Sequence, residues 1–269
     1  MIRGNGLDGR VAIVTGATGG IGRGVALALA ARGARVVVNG RNAEKGAAVV
    51  AEIEALGASA AFVAGDVREK ADMEHVVAEG ARLFGGIDIV VPNAGGSDED
   101  ARNPAVRGPF AGIDLEKVTQ FIAAAHRGKL TVVQAAIPHM RRRGGGAVVF
   151  VTSEGGRTAT PGQTAIASFS GGLVMAAKVL SKELAREKIR VNCVCVTLVR
   201  DSPSWDAAFV REGAVSDHHR RQYEKIIASS PLGVAAPPDI GNVVAFLASD
   251  DSHYLTGAVL SPTGGLTLH

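Results

Sequence analysis

Short apolar runs alternate along the chain with longer segments whose apolar residues recur three and four positions apart. The short runs are Val11 to Thr15, Ala34 to Asn39, Ala60 to Ala64, Asp88 to Pro92, Ala147 to Thr152, Arg190 to Val196 and Ala258 to Ser261. Their length and Val/Ile/Ala content predict seven strands. Between the earlier runs, Ile21 to Arg32, Ala43 to Leu56 and Glu69 to Phe84 have the spacing of amphipathic helices. Strands that are apolar throughout and joined by helices belong to a parallel sheet covered on both faces. The pattern predicts one α/β domain over residues 1–269, with no linker or repeat dividing it. Two polar insertions, Asp98 to Gly112 and Asp201 to Asp217, interrupt the alternation, and the second reads as a mobile lid over 201–217. Gln163 to Leu180 has Lys178 as its sole charge. A helix apolar nearly all round is buried on more than one side. The sheet covers one side of it, and either a second subunit or another part of the same chain covers the other.

Composition narrows the class. With 46% apolar and 20% charged residues the chain is not disordered in the main, and 35 glycines point to many tight turns or close backbone approaches. A net charge of +3 suits anionic small ligands, but there is no polybasic block to hold nucleic acid, and Arg141-Arg142-Arg143 reads as a solvated helix end. Cys193 and Cys195, the only two cysteines, share one face of a strand and cannot make a metal site alone. They read as core thiols in a reducing, cytoplasmic setting, and no metal is expected. The start MIRGNGLDGR lacks the apolar stretch of a signal peptide, and no uncharged run reaches the length of a membrane span, so no membrane association is expected.

The first strand runs straight into Thr15-Gly16-Ala17-Thr18-Gly19-Gly20-Ile21-Gly22 and then a helical pattern. Free N–H groups and the positive dipole end of a helix suit a pyrophosphate, and glycines let it approach without a Cβ clash. Gly16, Thr18, Gly20, Ile21 and Gly22 are therefore candidate dinucleotide contacts. The second strand ends in Asn39-Gly40-Arg41 and offers no acid to the ribose 2′-hydroxyl. Arg41 can pair with a 2′-phosphate and stack on adenine, so the expected cofactor is NADP(H) in preference to NAD(H).

The loop spacing Thr15-Gly16-x-x-x-Gly20-x-Gly22, Asp66-Val67 after the third strand and Asn93-Ala94-Gly95 after the fourth together resemble the short-chain dehydrogenase/reductase family. Ile189-Arg190-Val191-Asn192, Pro231-Leu232-Gly233 and Thr256-Gly257 extend the resemblance over nearly the whole chain. It implies a single Rossmann-like domain with a seven-stranded parallel sheet, adenine near Asp66 and Val67, a dinucleotide along the strand ends that include Asn93, Ala94 and Gly95, and a homotetramer or homodimer.

The resemblance also implies a catalytic Ser, Tyr and Lys with an Asn from an earlier helix. Ser153 fits the serine position, but the tyrosine position is Ile166, the lysine position is Ser170, and counting back from Met140 puts the asparagine at Ala125, beside His126. The Pro-Gly expected after the sixth strand is Val196-Thr197. Candidate replacements for proton transfer are His126, Glu154 and the Asp217-His218-His219 cluster. The two adjacent histidines read as solvent-exposed, and helix packing competes with catalysis for His126. Ile166, Phe169 and Trp205 hint at an apolar cleft. Two functions remain open: an NADP(H)-linked oxidoreductase with a non-standard active site and an unread substrate, or a nucleotide-binding relative without reductase activity that serves a structural or regulatory role.

Overall fold

A computed structural model describes residues 6–95, 103–211 and 215–268, apart from the His218 side chain. All seven expected strands form: β1 Val11–Val14, β2 Arg35–Gly40, β3 Ala60–Ala64, β4 Ile89–Val91, β5 Gly146–Ser153, β6 Ile189–Val196 and β7 Val259–Leu260. They make one parallel sheet in the order β3-β2-β1-β4-β5-β6-β7. The helices are α1 Gly20–Ala30, α2 Ala43–Ala55, α3 Lys70–Phe84, α4 Leu115–Arg142, α5 Thr164–Leu184, α6 Asp217–Ala228 and α7 Pro237–Ala248. The expected doubly wound Rossmann-like architecture is what the chain adopts.

The continuous apolar strands are explained by the two cores they separate. Val11, Ile13, Val37, Val148 and Phe150 face α3, α4 and α5, while Ala12, Val14, Val36, Val38, Val149 and Val151 face α1, α2 and α7. Side chains alternate between faces with a period of two, so a strand covered on both sides is apolar at every position. Cys193 and Cys195 lie on the first of these faces as buried free thiols, and a hydrogen bond with Cys193, with burial second, pushes the Cys195 thiol up.

α5 is long and apolar enough to cross a membrane by length and composition alone. Here Ile166, Phe169, Leu173 and Leu184 pack into the core, while Met175 and Val179 are exposed. The arginine run at the end of α4 is exposed, as its composition suggests, and Arg143 also bonds the fully buried Asp88 carboxylate at 3.0 and 3.2 Å.

The segment expected as a polar lid contains helical structure. Residues 212–214 of it, like 98–102 of the first insertion, lie outside the described residues. The rest forms a helical turn at Pro203–Trp205 and a wider turn at Asp206–Val210. Trp205 and Phe209 stack with ring centroids 4.7 Å apart in a small cluster with Leu198 and Tyr223.

Candidate active site

Strand order reverses between β1 and β4, and loops leaving adjacent strand ends in opposite directions open a crevice there. A cleft of about 970 Å³ occupies it, lined by the loops that follow β1 to β6. Gly16, Thr18, Ile21, Gly22, Arg41, Asp66, Val67, Asn93, Ala94, Gly95 and Ser153 all face it.

Close backbone packing shapes the glycine loop. A Cβ on Gly22 would lie 2.1 Å from the Gly16 carbonyl oxygen, and Gly16 and Gly20 have φ of 64° and 50°. α1 has no side-chain cap and no acid in its first turn, whereas the Asn42 and Asp114 side chains cap α2 and α4. A Cβ on Gly19 would meet nothing within 4 Å. Uncapped N–H groups beside open space fit a pyrophosphate. Gly20 contributes to the turn and does not line the cleft: a Cβ there would come 3.1 Å from Pro203, which sits over the loop.

Asn93 and Ala94 brace this loop. The Asn93 side chain donates to the Thr15 carbonyl at 3.1 Å, and the Asn93 and Ala94 backbone N–H groups donate to Thr15 Oγ1 at 3.1 Å each. At the other strand ends, Asp66 accepts bonds from the Arg68 side chain and backbone and lies 3.7 Å from Arg41. Those bonds to Arg68 hold the Asp66 carboxyl below the ordinary carboxylate range. Arg41 and Arg68 thus flank one carboxylate, and Lys45 also lines the cleft. Asn39 is fully buried and bonds the Val63 and Gly65 carbonyls, tying β2 to β3. Val67 packs against Gly128 of α4, where a Cβ would lie 3.0 Å away.

At the opposite end, Ser153 Oγ accepts from the Gly155 N–H at 3.1 Å. Ile166 lines the cleft at 9% exposure, while Ser170 is fully buried beneath Gly156, its hydroxyl without a hydrogen-bond partner. Thus an apolar group stands where the resemblance implies tyrosine, and the residue where it implies lysine lies outside the lining. Phe169 lines the cleft, whereas Trp205 packs on Phe209 instead.

His126 is placed apart from this group. Its Nε2 donates to the Phe169 carbonyl at 2.8 Å, and the ring packs against Gly172 of α5. That contact gives the side chain a helix-packing task between α4 and α5. Glu154 lines the cleft and is buried, accepting bonds from the Thr158, Ser261 and Thr267 hydroxyls. His219 is buried too, not solvated, because it and Tyr223 share one face of α6 with ring centroids 4.5 Å apart. Among the described residues, no three His, Cys, Asp or Glu side chains come together as a metal-binding group.

Sequence reasoning missed three groups. Arg107 and Tyr223 line the cleft together, with the guanidinium 5.4 Å from the ring centroid, from segments 116 positions apart. Lys129 is a lysine on the buried stripe of α4, between Ala125 and Val132, and burial pushes its ammonium down to about 7. Helical spacing alone marks Lys129 as a charge on an apolar face, and that signal was available.

A family profile described as enoyl-(acyl carrier protein) reductase matches residues 16–267, spanning the glycine loop, the cleft and the sheet. The chain belongs to the short-chain dehydrogenase/reductase family. It is 34% identical to the (2S)-[(R)-hydroxy(phenyl)methyl]succinyl-CoA dehydrogenase subunit BbsD of Thauera aromatica, over 98% of each chain. It is 33% identical to L-rhamnose 1-dehydrogenase (NAD(P)(+)) of Sphingomonas sp. strain SKA58, over 97% of each. A 7α-hydroxysteroid dehydrogenase complexed with NADH and 7-oxo glycochenodeoxycholic acid superposes with a TM-score of 0.85 at 25% identity, over 98% of each chain. Oxidoreductase identity at family level and a general capacity for NAD(P)(H) go with membership of the short-chain dehydrogenases/reductases.

Proposed function

We propose that this chain is an oxidoreductase that prefers NADP(H) to NAD(H) and works through a non-standard active site. The observation that carries this reading is a single cleft running from Arg41, Lys45 and Arg68, past the uncapped α1 N-terminus, to Ser153. The three cations suit a 2′-phosphate, and Arg41 is the one placed directly after β2. When bound, the nucleotide supplies or accepts a hydride at a substrate carbon. Ser153 orients the substrate oxygen, Asn93 and Ala94 hold the glycine loop, and Asp66 and Val67 border the adenine. His126 takes no part in proton transfer from its present position. The same reading includes a small-molecule substrate, a homodimer or homotetramer joined through α5, and a cytoplasmic location in keeping with two free thiols.

Calorimetry tests the cofactor preference. A charge-assisted hydrogen bond contributes about 1.5 to 3 kcal/mol, less for an exposed group, so NADPH should bind about tenfold more tightly than NADH. Arg41→Ala should remove most of that difference. Equal affinities in the wild type would overturn the preference.

A second reading, a nucleotide-binding relative without reductase activity, is favoured by Ile166 at the cleft and Ser170 behind it. Single-turnover oxidation of NADPH with a panel of ketones separates the two, since only the oxidoreductase consumes the nucleotide.

A further inference from the structure

The floor of the cleft holds a cation that no part of the foregoing reading uses. Lys129 is 2% exposed, and among the described residues it is the one buried lysine. Its Nζ donates to three backbone carbonyls: Pro92 at 3.0 Å, Asn93 at 2.7 Å and Val151 at 2.8 Å. The first two directly follow β4 and the third lies in β5, two residues before Ser153. Lys129 therefore joins the strand ends that border the crevice.

Those three bonds specify a charge state. An ammonium has three N–H groups and saturates three carbonyls, whereas a neutral amine has two and turns its lone pair toward the third oxygen. Loss of the proton releases one tie, and the tie to Asn93 leads directly to the nucleotide site. Asn93 bonds the Thr15 carbonyl and sits against the Gly16 turn, so a chain of hydrogen bonds runs from Lys129 through Asn93 to the glycine loop.

We propose that Lys129 is a positioning residue of the nucleotide site, a titratable cation carried on α4 in place of the lysine missing at Ser170, and that nucleotide binding takes up a proton onto it. This inference rests on the nucleotide reading above. A polyanion in the cleft favours the charged amine beneath it. Burial brings the free protein's Lys129 to about 7, so just above neutrality the amine is mostly neutral before binding. The Cys193 thiol faces it from β6 and is the one ionisable neighbour with a resolved effect on it. Asp66, Arg107 and Glu154 line other parts of the cleft, and His126 on its own helix is turned to α5. The proton comes from solvent, and no covalent bond to the nucleotide forms.

NADPH binding should be measured by calorimetry at pH 8 in buffers of different ionisation enthalpy, and its affinity compared between pH 7 and pH 9, above the range in which a phosphate monoester titrates. The wild type should take up about half a proton per nucleotide and bind about fivefold more tightly at pH 7 than at pH 9. Lys129→Met should show no uptake and weak, pH-independent binding. Lys129→Arg, charged throughout, should bind tightly at both pH values without uptake, a rescue that a merely structural role would not give. Should either variant fail to fold, ¹³C-lysine NMR of the wild type gives the same answer: one lysine titrating near neutrality, with its midpoint raised by at least one unit when NADPH saturates the protein. NADPH binding without uptake and without that displacement would overturn the role of Lys129 alone. Absence of any NADPH binding at pH 7 would overturn the nucleotide reading and this inference with it.

Discussion

On the proposed reading, Ser153, Ile166 and Ser170 leave the chemistry without a proton donor. Delivery of a hydride to a ketone leaves an alkoxide that needs a proton, and a positioned general acid is worth about 10² to 10⁴ in rate. Ketone reduction by the wild type should fall short of an ordinary reductase by that factor, as steady-state assays would show. Ile166→Tyr with Ser170→Lys should raise turnover, at a stability cost of about 1 to 3 kcal/mol because position 170 is fully packed. Unchanged turnover in a folded double variant would mean that the cleft is not arranged for this chemistry. Lys129 gives a second residue-scale expectation. Its folded-state value, about 7, lies below the usual 10.5, so the native state binds fewer protons than the unfolded state between those values. Stability then rises with pH across that window, and the burial cost is fully present below pH 7. Urea denaturation should find a gain of about 2 kcal/mol from pH 7 to pH 9 that Lys129→Met lacks.

At the scale of elements, glycine decides how closely helices and loops approach. α1 and α7 cross where a Cβ on Gly24 would lie 2.5 Å from the Pro237 carbonyl, and one on Gly241 would lie 2.5 Å from the Gly24 carbonyl. Backbone carbonyls cannot rotate aside as a side chain can, so Gly24→Ala must push the helices apart. Overpacking of this kind costs about 1 to 3 kcal/mol, and a denaturation midpoint near that of wild type would show that the crossing relaxes freely. The segment after β6 seats Pro203 over Gly20 of the nucleotide loop. A lid role for residues 201–217 predicts protection of this stretch from hydrogen exchange on NADPH addition. Equal exchange with and without NADPH would remove the role.

For the whole molecule, the outer side of α5 bears on association. Met175 is 59% exposed and Val179 is 48% exposed on a helix whose other side is packed in the core, and Phe110 and Leu115 beside the start of α4 are exposed as well. Exposed apolar groups on adjoining elements are the usual mark of a contact surface. Sedimentation should find a dimer or tetramer at micromolar concentration, and Met175→Glu with Val179→Glu should shift it to monomer. A monomeric wild type would end the interface reading.

Much of this was legible in the linear chain because its signals are local. Unbroken apolar strands joined by helical spacing determine a doubly covered parallel sheet, and the run from Thr15 to Gly22 determines a strand, tight turn and open helix N-terminus, since glycine geometry depends on neighbours a few residues away. Ile166 and Ser170, at the positions where the family resemblance implies tyrosine and lysine, are likewise found by counting. What the tertiary structure alone decided is which side chains share the cleft. Arg107 meets Tyr223, Lys129 reaches Pro92 after β4 and Val151 in β5, and Arg41 lies 3.7 Å from Asp66, because packing of helices on the sheet brings together residues far apart in the chain. It also turned His126 into the contact between α4 and α5: a helix position fixes which face a side chain leaves from, but only the neighbouring helix fixes what it meets.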